Sequence, residues 1–123
     1  MSDEEIIKEV FEWQNKLRTD PKFLIPHLES RLEYFDGNTL WIPGKIGQIT
    51  KEGPGAVKKA IKFLKTAKPI NALIMSKALC KASQDHAKDL GDNNMKGHDG
   101  SDGSSMKDRI QRYCEWKSKI GEN

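Results

Sequence analysis

The chain has 123 residues, 36% hydrophobic and 32% charged, with a net charge of +3. This length fits one domain and excludes a multidomain enzyme, and a charge of +3 is too small to argue for nucleic acid. Its uncharged runs fall well short of the ~20 apolar residues a bilayer span needs. The acidic start Met1-Ser2-Asp3-Glu4-Glu5 has neither the basic nor the apolar region of a secretory signal. Two cysteines, Cys80 and Cys114, are too few for a disulfide framework. A reducing, cytoplasmic setting with free thiols is the expectation, and whether the two lie close in space stays open.

Charge is uneven along the chain. Residues 1–40 hold five basic against nine acidic residues, residues 41–91 ten against three, and residues 92–123 six of each. The basic middle reads either as ordinary solvated helix faces or as a docking face for an acidic partner.

Ser2-Asp3-Glu4-Glu5 has the form of a capping box, with Ser2 and Glu5 satisfying each other's backbone amides. Ile6, Ile7, Val10, Phe11, Gln14 and Leu17 follow at helical spacing and predict a first helix from about Asp3 to Arg18. Thr19-Asp20-Pro21 breaks it, and Pro21 can open a second helix through Phe23, Leu24, His27, Leu28, Arg31 and Leu32. Pro26 near its start predicts an irregular beginning. From Asp36 to Pro54 the turn signals Asp36-Gly37-Asn38, Pro43-Gly44 and Gly53-Pro54-Gly55 predict a loop. Trp41, Ile42, Ile46 and Ile49 stand out in it as apolar residues expected to pin the loop to the body.

A third helix is predicted from about Pro54 to Ala67, ended by Pro69. Val57, Ala60, Ile61 and Leu64 form its apolar stripe, and Lys58, Lys59, Lys62 and Lys65 the opposite face. A fourth helix starts after Ser76 as N-cap, carries Leu79, Ala82, His86 and Leu90 on one face, and is expected to stop at Gly91. The polar stretch 91–105 suits a structured loop, and a short helix from about Ser105 to Tyr113 follows. No internal repeat and no alternating strand pattern is visible. The residues alone predict a mainly α-helical chain with long loops and little or no strand.

Two stretches are more specific. Trp13-Gln14-Asn15-Lys16-Leu17-Arg18-Thr19-Asp20-Pro21 is one. The other is Gly97-His98-Asp99-Gly100-Ser101-Asp102-Gly103-Ser104-Ser105 with Asp108-Arg109-Ile110, followed by the terminal Gly121-Glu122-Asn123. In order and spacing these resemble the CAP superfamily of cysteine-rich secretory proteins, venom antigen 5 and pathogenesis-related proteins. The resemblance implies an α-β-α sandwich, of which this chain matches the N-terminal portion. The sheet, a second Glu and a later Gly-His motif of the family follow the Gly-Glu-Asn signature. The chain is therefore expected to be an incomplete CAP-like domain spanning residues 1–123, part of a longer protein.

The resemblance also implies a tetrad of two His and two Glu able to hold a divalent metal such as zinc, with His98 and Glu122 at the first two positions. Imidazole and carboxylate both suit zinc, but a zinc site takes four ligands, or three plus water. The alternative readings are a loop histidine organising its turn and a frayed terminal carboxylate. Gly97, Gly100 and Gly103 permit positive φ, Ser101, Asp102, Ser104 and Ser105 can satisfy turn amides and cap the next helix, and Asp108 and Arg109 can tie that helix to the loop. That loop is read as structural. His86 is read as a buried, satisfied histidine and His27 as a surface or interface residue.

No phosphate loop, Gly-x-Ser-x-Gly, Cys-x-x-Cys or His-Glu-x-x-His is present. The function expected is a non-enzymatic interaction or scaffold module in a larger intracellular assembly. Lys58, Lys59, Lys62 and Lys65 would bind an acidic protein surface such as tubulin in a cilium. The alternatives are a lipid or sterol binder on an anionic membrane, or a divalent-metal protein, less so a metal-dependent hydrolase.

Overall fold

A computed structural model describes residues Met1–Asn123. The chain is mainly helical and falls into two compact units, Met1–Leu73 and Ile74–Asn123.

In the first unit, α1 (Asp3–Thr19) opens on the capping box. The Glu5 amide donates to Ser2 Oγ at 3.2 Å, and the Ser2 amide donates to the Glu5 carboxylate at 2.7 Å. Acidic residues fill its first turn and Lys16 and Arg18 its last, as the helix dipole favours. Pro21 is buried and opens a 3₁₀ turn (Pro21–Leu24) that runs directly into α2 (Ile25–Leu32). The irregular start expected from Pro26 takes this form.

The stretch read as loop contains a small antiparallel sheet: β1 (Phe35–Asp36), β2 (Thr39–Leu40) and β3 (Gln48–Ile49), in the order β1-β2-β3. Phe35 pairs with Leu40 and Asp36 with Thr39; Thr39 then pairs with Ile49 and Leu40 with Gln48. Two-residue strands leave no alternation to read in a sequence. Leu40 is buried and Ile42 half-buried, but the other three apolar residues expected to anchor this segment do not do so. Ile46 is 96% and Ile49 86% exposed, and Trp41 is exposed as well. The Trp41 ring instead lies over Gly47, where any Cβ would come within 2.5 Å of it. The segment folds onto itself.

Helix α3 (Pro54–Thr66) buries Ile61 and Leu64, packing against α2 and the 3₁₀ turn. It stops one residue earlier than the pattern suggests because Ala67 is already extended. Residues 70–73 then run along α1. The Ile70 amide donates to the Arg18 carbonyl at 2.8 Å, and the Arg18 guanidinium to the Asn71 carbonyl at 2.9 Å. Asn15 both accepts from the Leu73 amide (2.6 Å) and donates to the Leu73 carbonyl (3.1 Å), as a paired strand would. Helix α1 itself buries no residue, and Ile6, Ile7 and Val10 are exposed.

In the second unit, Ser76 caps α4 (Lys77–Asp92), accepting from the Leu79 amide at 3.3 Å. Gly91 does not stop this helix. Asn93 does: its side chain donates to the Asp89 carbonyl and carboxylate at 2.9 Å each, and the positive φ of the exit falls on Asn94. Helix α4 packs against the shorter α5 (Met106–Gln111). The buried side chains are Ala82 and His86 from α4 and Arg109 and Ile110 from α5. No helix is long and apolar enough to cross a membrane.

Candidate functional site

The polar loop between α4 and α5 is built from both ends. Asp89, on the last turns of α4, accepts the Ser101 amide at 2.7 Å and the Ser101 hydroxyl. Asp102 accepts the Ser104 amide at 2.9 Å. Ser105 and Asp108 form a capping box at the start of α5. Each carboxylate sits below its ordinary pKa for the same reason, donors aimed at the ionised form. For Asp89 these are the Ser101 hydroxyl and amide, for Asp102 the Ser104 hydroxyl and amide, and for Asp108 the Ser105 amide and hydroxyl. Gly97 and Gly103 have the positive φ expected of them. Gly100 does not; it is buried, and a Cβ there would lie 2.7 Å from Ser104 Oγ. Its requirement is close approach.

His86 donates from Nε2 to the Gly97 carbonyl at 2.8 Å, which fixes the loop onto α4. It is buried but only half satisfied, since Nδ1 has no partner.

His98 and Glu122, both singled out as candidate ligands, come together. His98 Nδ1 lies 2.8 Å from one Glu122 carboxylate oxygen. The other oxygen accepts from Arg109 Nη2 at 2.8 Å, and Arg109 Nη1 donates to the His98 carbonyl, also at 2.8 Å. Arg109 is 3% exposed, and the Glu122 side chain 23%. Glu122 is thus a clasped carboxylate rather than a frayed terminus. Burial pushes its pKa up, but the bonds from His98 and Arg109 and the guanidinium charge hold it below the ordinary value. Arg109 has a larger role than its sequence position indicates. Its position beside Asp108 suggested a tie to the loop, but nothing local announced a buried charge bridging His98 and Glu122. A cleft of about 280 Å³ opens beside this clasp, lined by Leu79, Ala82, Met106, Ile110 and the Arg109 and Glu122 side chains.

His98 and Glu122 are two ligands where a closed site needs four, or three with water. No cluster of three or more His, Cys, Asp or Glu is placed to hold an ion. Both Glu122 oxygens are already engaged, and the fixed Arg109 cation beside them opposes a second cation.

The lysines of α3 divide. Lys58, Lys62 and Lys65 line an open groove of about 340 Å³ with Glu29, Leu32 and Ile61. Lys59 lies outside it, on the side of α3 where Phe63 is exposed. The four do not form one continuous face because i, i+4 and i+7 share a helix side while i+1 does not. Asp85, Asp102 and Arg112 make a second polar cluster: Arg112 lies 3.5 Å from Asp102 and 3.8 Å from Asp85, and Tyr113 donates to Asp85. Cys80 and Cys114 are free thiols. His27 is exposed and stands edge-on to Trp13, 5.5 Å between ring centres.

No protein-family model, curated protein or solved structure matches the chain.

Proposed function

We propose that the chain is a CAP-type helical module acting as a non-enzymatic interaction scaffold in a larger assembly, docking an acidic protein surface along α3. The observation that carries this reading is the open groove lined by Lys58, Lys62 and Lys65. None of these lysines makes an ion pair. Unpaired like charges on one helix side repel one another, so an acidic partner relieves a cost as well as adding attraction. Cytoskeletal surfaces such as tubulin tails in a cytoplasmic or ciliary setting have the matching chemistry.

The CAP assignment is supported by the motif residues doing coordinated structural work. Asn15, Arg18 and Pro21 build the junction after α1. The Gly-His-x-Gly run makes the loop that brings His98 to Glu122. The non-enzymatic reading is supported by Glu122, whose two oxygens are spent on His98 and Arg109, so that it is poorly placed as a general base.

The test is fluorescence anisotropy with a labelled polyglutamate-rich peptide and a neutral peptide of equal length. The acidic peptide should bind, weaken with salt, and lose about tenfold or more in affinity to Lys58→Glu/Lys62→Glu/Lys65→Glu, as several charge pairs at about 1 kcal/mol or less each would give. Equal binding by wild type and the triple variant would overturn the reading. The exposed Phe63 beside Lys59 and Lys62 favours an anionic membrane as the second reading. Flotation with vesicles containing anionic lipid, in the absence of peptide binding, would support it instead.

A further inference from the structure

The first unit displays two uncovered apolar surfaces of opposite charge. On α1, Ile6, Ile7 and Val10 are exposed at i, i+1 and i+4. Helical spacing places Glu9 on one flank of this patch and Glu4 on the other, with Asp3 above it. Asp3, Glu4 and Glu9 make no ion pair. The second surface is the segment around β3, where Trp41, Ile46 and Ile49 are exposed and Lys45 and Lys51 flank them. Those two lysines are also without ion-pair partners. From Trp41 to Leu73 the chain has seven lysines and one acid, Glu52.

A solvent-exposed isoleucine is ordinary by itself. Three neighbouring apolar residues per surface, framed by unpaired charges, have the form of a small interface: apolar centre, charged rim. The Trp41 ring packed on Gly47 holds the second surface in a fixed shape before any partner arrives. The β3 strand is also an edge of its sheet, so its outer backbone groups are unpaired within the sheet.

We infer that these two surfaces are each other's partners in separate copies of the chain: the acidic apolar face of α1 in one copy docks on the basic apolar β3 segment of a second. Charge sign, apolar content and exposure match on the two sides. Formed reciprocally, the contact closes as a two-fold dimer. The surfaces are small, which places the contact in the weak, transient class. This association is independent of the lysine groove of α3.

Sedimentation velocity over a wide range of protein concentration tests it with two charge-reversed variants, Glu4→Lys/Glu9→Lys and Lys45→Glu/Lys51→Glu. All four positions are exposed, and circular dichroism checks that each variant keeps its helix content. Wild type should gain mass with concentration and lose association about tenfold when ionic strength rises from ~0.1 M to ~1 M, where the Debye length falls from ~10 to ~3 Å. Each variant alone should stay monomeric, and the two mixed should associate, because reversal of both sides restores opposite signs. The triple variant Lys58→Glu/Lys62→Glu/Lys65→Glu should self-associate as wild type does, which separates this contact from the groove. A wild type that is monomeric throughout overturns the inference. So do variants that associate alone, a mixture that does not, or a monomer that is depleted only by anionic vesicles.

Discussion

Replacing Glu122 with Ala removes the anionic acceptor of the one nearly inaccessible cation in the chain. Arg109 is 3% exposed and holds two bonds of 2.8 Å, one to Glu122 and one to the His98 carbonyl. Loss of a charge-assisted hydrogen bond costs about 1.5–3 kcal/mol. An uncompensated buried charge raises the figure toward about 3–5 kcal/mol. Glu122 is 23% exposed, so water can follow into the space it leaves and relieve part of that penalty. A net loss of about 3 kcal/mol results, or roughly 10 °C in Tm for a domain of this size. The reverse substitution, Arg109→Met, should cost less, about 2 kcal/mol, because the carboxylate left behind can rehydrate while Met fills the volume. Thermal melts followed by circular dichroism, with the double variant completing a cycle, measure both losses. The double variant should lose about 1–3 kcal/mol less than the sum of the two singles. A Glu122→Ala Tm within about 2 °C of wild type, or additive losses, would refute the clasp.

Other perturbations separate the parts of the account. The Glu122 pKa is depressed in the fold, so the clasp contributes fully above the ordinary carboxylate range and is lost as pH falls through the lower folded value. Urea midpoints should therefore fall more steeply from pH 5 to 3 in wild type than in Glu122→Ala; parallel curves would contradict this. His86→Ala should cost about 2–3 kcal/mol by vacating a buried site and orphaning the Gly97 carbonyl, seen as a lower urea midpoint and faster amide exchange over 97–103. Gly53→Ala should cost about 2 kcal/mol or more, since φ is +59° and the new Cβ would sit 2.2 Å from Asn38 Oδ1. Ile46→Ser should leave Tm within what about 0.5 kcal/mol allows, because the side chain is 96% exposed; a large loss would mean the segment is packed after all.

What the sequence made legible was local. The Ser2/Glu5 capping box, the Ser76 and Ser105 caps and the stripe of Ile61 and Leu64 depend on residues within a turn or two of each other. Gly91 misled because a glycine near a helix end reads as a stop, while the side chain of Asn93 supplied the cap from two residues further on. The sheet was invisible because β1, β2 and β3 are too short to show alternation. Ile46 and Ile49 were read as anchors on hydrophobicity alone, which says nothing about whether a surface is near enough to receive them. The candidate site divides in the same way. His98 and Glu122 could be named from motif resemblance, but their junction through Arg109 spans 24 residues and arises only from the packing of α5. The bonds from Asn15 and Arg18 to residues 71–73 reach further still, 58 and 53 residues.

The claim that α3 is a docking surface is tested most directly by titrating 15N-labelled protein with the polyglutamate-rich peptide and following backbone amide shifts. Saturable changes should centre on Lys58, Lys62 and Lys65 and on Glu29 and Leu32 across the groove, fading as salt is raised. Changes confined to His98, Arg109 and Glu122, or no changes at all, would contradict it.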